Sequence, residues 1–439
     1  MTTETPTARD ELALATVPTS DLKSFIGGYI TRIRGGDMGS LPAVAALLVL
    51  VLIFSIFDSG FFSLSNLSSL TTQAAPGILL AMGLVFVLLL GEIDLSAGTT
   101  SGVGAGIIAV LLFHQWPWPI ALLVALVVGA LIGLFIGVMR AKLRVPSFVI
   151  TLALFLGLQG VLILIMNTVG SSGALSYHQP VLDALENELM PVWLGWALAI
   201  LVVLGYAAVV LNRLRGRRAR NLATEPTAVT ALKIGATAVV VLGATFLYNI
   251  NQNSGAAPGV ATVDGKLVQV APPTLQGIPW VVPLILALVL VLAFVLNRTR
   301  YGRHIYAVGG NDEAARRAGI RVDAVRISVF VICSTMAVIS GLVLGSQSGV
   351  SQQTGGGNTL LLAVGAAVVG GTSLFGGKGK ITDAVVGGLV VAVIINGMSD
   401  LIQSKNNAAW QMIVTGAVLA LAATVDALSR RRAGATGLG

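Results

Sequence analysis

The chain has 439 residues, 55% of them hydrophobic and 10% charged, with a formal net charge of +8. Soluble domains carry about 25% charged residues, and a chain this apolar would expose large adhesive patches to water, so a soluble fold is excluded and a bilayer is its natural setting. A single cysteine, Cys333, excludes intramolecular disulfides, and with only His114, His178 and His304 it argues against a Cys- or His-based metal site.

In chain order, a polar N-terminal stretch that contains acids precedes the first apolar run near Leu41, which argues against a cleavable signal peptide. Twelve mostly apolar runs then approach the length of about 20 residues that crosses a bilayer. They lie at 40–58, 70–90, 96–114, 117–139, 146–167, 192–211, 229–249, 278–297, 324–345, 358–374, 381–398 and 408–428. The second contains Pro76-Gly77 and reads as a discontinuous helix. The tenth has an apolar core at 360–369, too short for a bilayer, that runs into Gly370 and Gly371, the pattern of a half-helix breaking inside the protein. The 52 glycines suit helices that approach one another closely.

With the N-terminus in the cytoplasm, every one of the 27 Lys and Arg residues except Lys266 and Lys405 falls on the cytoplasmic side. The expected fold is therefore all-α: a polytopic transmembrane helical bundle of about 12 spans, both termini cytoplasmic, with some discontinuous helices. Its parts are a cytoplasmic tail at 1–39, a membrane domain at 40–430 with a charged cytoplasmic loop at 298–323, and a tail at 431–439. The positive charge reads as topology and contact with anionic lipid rather than nucleic-acid binding. Arg213, Arg215, Arg217, Arg218 and Arg220 read as a topology anchor. Residues 251–276, rich in Asn, Ser, Gly and Pro, read as an external loop.

Three stretches carry chemistry. In the first, Gly91-Glu92-Ile93-Asp94-Leu95-Ser96-Ala97-Gly98, two carboxylates adjoin apolar runs, where a charge is costly unless it faces a cavity or a partner. Asp94 stands where a carboxylate caps the free N–H groups of the helix that follows. Glu92 either lines a solute path or bonds a neighbouring helix, and Ser96 belongs with them to a path-or-cap group. The second stretch, 301–320, specifies a two-turn helix outside the membrane. Asn311 caps it, Asp312 and Glu313 meet its positive end, Arg316 and Arg317 its negative end, and Gly319 stops it. So short a helix is marginal alone, so it docks on a partner or serves as a surface connector. The third, Gly370-Gly371-Thr372-Ser373-Leu374-Phe375-Gly376-Gly377-Lys378-Gly379-Lys380, is not a P-loop, because Thr372 and Gly379 stand where Gly and Ser or Thr are needed. With no such motif elsewhere, the chain is expected to bind no cofactor, to have no catalytic or metal-ligating residue, and to leave ATP hydrolysis to another subunit.

Across residues 40–430 these three stretches, in this order, resemble the ribose/xylose-type monosaccharide ABC permeases, and the chain is most similar to the xylose type, which carries an extra pair of spans. The runs six to eight, with residues 213–221 and 228–249, resemble that insertion, and Asn396-Gly397-Met398 and Trp410-Gln411-Met412-Ile413-Val414 resemble the last spans. The resemblance implies a coupling helix at 311–319 that docks on a separate ATPase, with Gly309, Gly310, Asn311, Glu313, Ala314, Ala315 and Gly319 matching the motif and Arg316 within it. It also implies a homodimer of permeases in the cell membrane, an ABC ATPase subunit that uses ATP, and an extracytoplasmic sugar-binding protein. The function so implied is import of a monosaccharide, a pentose such as xylose. An ion-coupled secondary transporter, an ABC permease for another small polar solute and a membrane scaffold are the other readings.

Overall fold

The computed structural model describes residues 41–58, 60–169, 174–177, 179–220, 224, 226–250, 259–263, 266–270, 276–401, 409–417, 420 and 424. In chain order the helices are α1 (Leu41–Phe57), α2 (Leu64–Leu89), α3 (Ala97–Phe113), α4 (Trp118–Lys142), α5 (Ser147–Asn167), α6 (Pro180–Asn187), α7 (Val192–Arg218) and α8 (Thr227–Asn249). Two strands, β1 (Gly259–Val263) and β2 (Lys266–Val270), precede α9 (Val281–Arg298), α10 (Arg300–Gly310), α11 (Asp312–Arg317), α12 (Val322–Ser348), α13 (Gly357–Val369) and α14 (Ile381–Leu401). Eleven of the twelve apolar runs thus coincide with helices. The twelfth lies largely outside the described residues, of which 409–417 are helical, and the two tails lie outside them altogether. Among the described residues α2, α4, α5, α7, α8, α9, α12 and α14 are long and apolar enough to cross a membrane, while α1, α3 and α13 are apolar but shorter.

Contacts separate two compact units: the described residues of 190–278, and those of 39–189 and 279–428. In the larger unit α12 is the central helix, packed by α4, α2, α3 and α6, and α13 and α14 pack together against α2. The close approach of α4 to α12 follows from Gly129, Gly133 and Gly137, one turn apart on one face. A Cβ at any of the three would collide with the backbone or side chains of Ser334, Val338, Phe330 or Ile327, so only Gly lets the two backbones meet. The exterior is as apolar as the interior, which admits a few small polar groups. Leu131, Leu152, Leu156 and Leu164 are exposed on α4 and α5, whereas Thr99, Thr100, Ser101, Thr151 and Ser334 are buried. That arrangement suits hydrocarbon outside and packed helices within.

Two expectations need correction. The helix α2 is continuous through Pro76, not broken there. Proline removes one N–H, the donor to the carbonyl four residues back, yet the helix runs on to Leu89; the Ser340 hydroxyl of α12 also donates to the Pro76 carbonyl at 2.7 Å. Residues 251–276 are not all loop, since β1 and β2 form an antiparallel hairpin pairing Val263 with Lys266 and Gly259 with Val270. The signal for it was the Asp264-Gly265 pair between two runs rich in β-branched residues. In contrast, α13 has 13 residues, about 20 Å of helix, and ends at Gly370, as its short apolar core requires.

The smaller unit holds α7 and α8, packed on each other, and the hairpin. Gly277 N–H donates to the Tyr248 carbonyl at 2.7 Å and Met190 N–H to the Ile278 carbonyl at 2.8 Å. Its extent covers the first two of the three runs read as an insertion, and α9 belongs to the larger unit.

Candidate functional site

The site grows from the short helices α10 and α11. Thr299 opens α10, its hydroxyl accepting from Gly302 N–H at 3.1 Å. Ile305 and Val308 turn inward, and the Gly309 backbone lies against the Leu89 carbonyl at the end of α2, too close for any side chain. The same carbonyl accepts from Gly377 N–H at 2.8 Å, and the Tyr306 hydroxyl donates to the Gly379 carbonyl at 2.8 Å. The Gly-rich stretch 370–380 is therefore a seat for α10. Its own form is held by Ser373 N–H on the Lys378 carbonyl at 2.9 Å and Lys380 N–H on Asp383 Oδ2 at 2.8 Å.

Asn311 Oδ1 accepts from Ala314 N–H at 2.9 Å and so starts α11. Gly319, at φ +82°, ends it, with Ile320 N–H on the Ala315 carbonyl at 3.1 Å. Ala315 is the buried residue of α11, while Glu313, Ala314, Arg316 and Arg317 are exposed. Glu313 pairs with Arg317 at 3.4 Å and Arg316 with Asp323 at 3.5 Å, and Gly310 lies open. The result is a stiff projection with one anchored face and one free face.

The stretch 91–98 meets the same end of the larger unit. Glu92 is buried and its Oε1 accepts from Arg140 Nε of α4 at 2.7 Å. Arg326, on the first turns of α12, lies with Nε 3.4 Å from the same oxygen, and its Nη2 donates to Asp312 Oδ2 of α11 at 2.8 Å. Asp94 is buried too, and its Oδ1 accepts from Ser96 N–H at 2.9 Å and from Ser96 Oγ at 2.7 Å. Burial pushes the Asp94 carboxyl above its ordinary range, against the pull of the Ser96 hydrogen bonds. Asp94 thus braces Ser96, the residue before the first turn of α3, while the Ser96 side chain makes no capping bond to that helix, and Glu92 bonds a neighbouring element. The sequence does not single out Arg140 and Arg326 as partners of Glu92, or Asp312 as the second partner of Arg326. In the sequence the two arginines look like any cytoplasmic cation, and only the need of Glu92 for a counter-charge hints at them. Among the described residues no group of His, Cys, Asp and Glu has the spacing of a metal site.

Within the larger unit a small open cleft of about 120 Å³ lies between α2, α12, α13 and α14. Gln73, Pro76, Gly77, Gln347, Thr359 and Gly388 are among its lining residues, so amide and hydroxyl groups stand among apolar helices there. Small residues on α2 and α14 leave the space, and the polar groups would be costly against lipid.

A family model described as the permease component of branched-chain amino acid transport systems matches residues 66–242 and 181–423. The chain is 35% identical over 429 residues to the xylose transport system permease protein XylH of Escherichia coli K12, covering 96% of this chain and 98% of that protein. It is 31% identical to XylH of Haemophilus influenzae, over 88% of this chain and 96% of the relative. It is 29% identical to the ribose import permease protein RbsC of Escherichia coli K12, over 88% and 92%. No solved structure matches the chain.

Proposed function

The chain belongs to the family of transport-system permease components, and from that premise we propose that it is the membrane-spanning subunit of an ABC importer for a monosaccharide, with xylose the expected sugar. The observation that carries this reading is the end-to-end similarity to a xylose permease, 35% identity over 96% of the chain. The protein is a multi-pass protein of the cell membrane. The finer features belong to the proposal: twelve spans, both termini cytoplasmic, a homodimer, an ABC ATPase on the cytoplasmic side and a sugar-binding protein outside. In that topology the loops at 91–96, 140–146, 299–321 and 370–380 share the cytoplasmic face.

The free face of α11 is the ATPase contact. Its supporting features are the exposed Glu313, Ala314, Arg316 and Arg317 on a helix capped at both ends. Anchoring by Gly309 and Tyr306 lets a push on α11 reach α2 and the start of α14 without being lost in a flexible loop. The sugar path includes the cavity beside Pro76, where Gln73, Gln347 and Thr359 offer amide and hydroxyl groups for sugar hydroxyls. Glu92, Asp94 and Ser96 hold the cytoplasmic ends of helices and do not touch the sugar. ATP binding at the partner supplies the energy; this chain supplies the path.

The test is uptake of labelled xylose by proteoliposomes holding this chain with its ATPase and binding protein. Import that needs ATP and the binding protein is the expected result. Uptake driven by a proton gradient in vesicles holding this chain alone would sink the reading in favour of an ion-coupled transporter. Leucine import without xylose import would keep the ABC class and overturn the sugar.

A further inference from the structure

We propose that Arg326 is a positioning residue for transport, which carries movement of α11 to Glu92 and so to the loop that begins α3. The inference rests on the reading of α11 as the ATPase contact. One guanidinium stands between two carboxylates on different elements, Asp312 of α11 and Glu92 of the α2–α3 connection. The Arg326 side chain is 14% exposed and that of Glu92 is 7%, so their interaction is little screened by salt.

The two contacts are unequal. Nη2 makes a hydrogen bond to Asp312 at 2.8 Å, whereas Nε, at 3.4 Å from Glu92 Oε1, is buried without a hydrogen-bond partner. That oxygen is already engaged by Arg140 Nε at 2.7 Å. Two guanidiniums therefore compete for one carboxylate oxygen, and the one tied to α11 holds the looser grip. A shift of α11 toward the membrane carries Arg326 with it, closes the Nε contact and draws Glu92 from Arg140. Glu92 lies two residues from Asp94, which holds the start of α3, and the Ile93 N–H and carbonyl meet the Ser147 and Thr151 hydroxyls of α5 at 3.4 Å each. The displacement thus reaches the N-termini of two helices, α3 and α5. The fork geometry matters, because a lysine carries the same charge but cannot present two nitrogens in fixed directions to two carboxylates.

The experiment compares the wild-type transporter with Arg326→Lys, Asp312→Asn and the double variant, each reconstituted with ATPase and binding protein. ATPase co-purification and sugar imported per ATP hydrolysed are read separately. In Arg326→Lys the ATPase stays bound and sugar per ATP falls at least tenfold. Asp312→Asn, on a half-exposed side chain, gives a fall of the same kind. The double variant is no worse than Arg326→Lys alone, since both act through one contact. Wild-type sugar per ATP in Arg326→Lys, or losses that multiply in the double variant, would overturn this inference and leave the docking reading intact. A wild-type chain that fails to retain the ATPase overturns the docking reading and this inference with it.

Discussion

At the scale of single residues, buried carboxyl groups are few among the described residues and are matched to different degrees. Glu92 is matched by two arginines, and Asp94 by the backbone and hydroxyl of Ser96. Removing the Glu92 carboxylate strands two cations; for a fully buried pair the cost is about 3–5 kcal/mol, and less here because Arg140 is 23% exposed. Glu186 on α6 differs, since it is buried and neither carboxylate oxygen has a hydrogen-bond partner. Burial pushes its pKa up from 4.5 to about 9. Between those values the unfolded chain has released a proton that the folded chain keeps, so this group lowers stability as pH rises through that window. Glu186→Gln is therefore expected to raise the thermal midpoint at pH 8, by a stability on the order of 1–3 kcal/mol, and to leave it unchanged below pH 4.5. A melting series of both proteins in detergent across that range checks the sign; an equal gain at every pH would contradict it.

At the scale of elements, backbone approach decides the packing. The three glycines of α4 let α12 sit at the centre of the larger unit, and a Cβ at Gly133 would strike the Phe330 carbonyl. Gly133→Ala should destabilise the protein by about 1–3 kcal/mol, as overpacking does. Gly157→Ala, on α5 where a Cβ meets nothing within 4 Å, should be neutral or stabilise by up to about 1 kcal/mol through reduced backbone entropy. Thermal unfolding of the two variants in parallel separates a packing requirement from a general intolerance of substitution. Gly309→Ala would push α10 off the end of α2, and loss of ATPase co-purification with the spans still folded is its expected signature.

At the scale of the whole molecule, the two units make a deletion testable. Leu189 and Pro279, which flank the smaller unit in sequence, are paired by a backbone bridge within the larger one. A linker of a few Gly and Ser residues can therefore replace 190–278 without stretching the larger unit. The deletion removes α7 and α8, an even number of helices long and apolar enough to cross a membrane, so orientation before and after it is expected to be kept. The shortened chain is expected to insert, to melt cooperatively and to retain the ATPase. Aggregation on extraction, or a reversed C-terminus by accessibility labelling, would show that the smaller unit is needed for assembly.

The sequence by itself determined where the helices lie, because bilayer length and hydropathy act locally: eleven apolar runs reappear as helices within a few residues. It determined α11 for the same reason, since Asn311, the charges of its two turns and Gly319 are local signals. The tertiary structure decided the rest. That α2 runs unbroken through Pro76, and that the Pro76 carbonyl receives the Ser340 hydroxyl of α12, no window around residue 76 contains. The role of Glu92 depends on Arg140, 48 residues away, and on Arg326, farther still, and nothing in the sequence sets these two apart from the other cations. Hydrophobic length is written along the chain, whereas a counter-charge is chosen by which helices pack, and the glycines of α4 make that choice only once α12 lies against them.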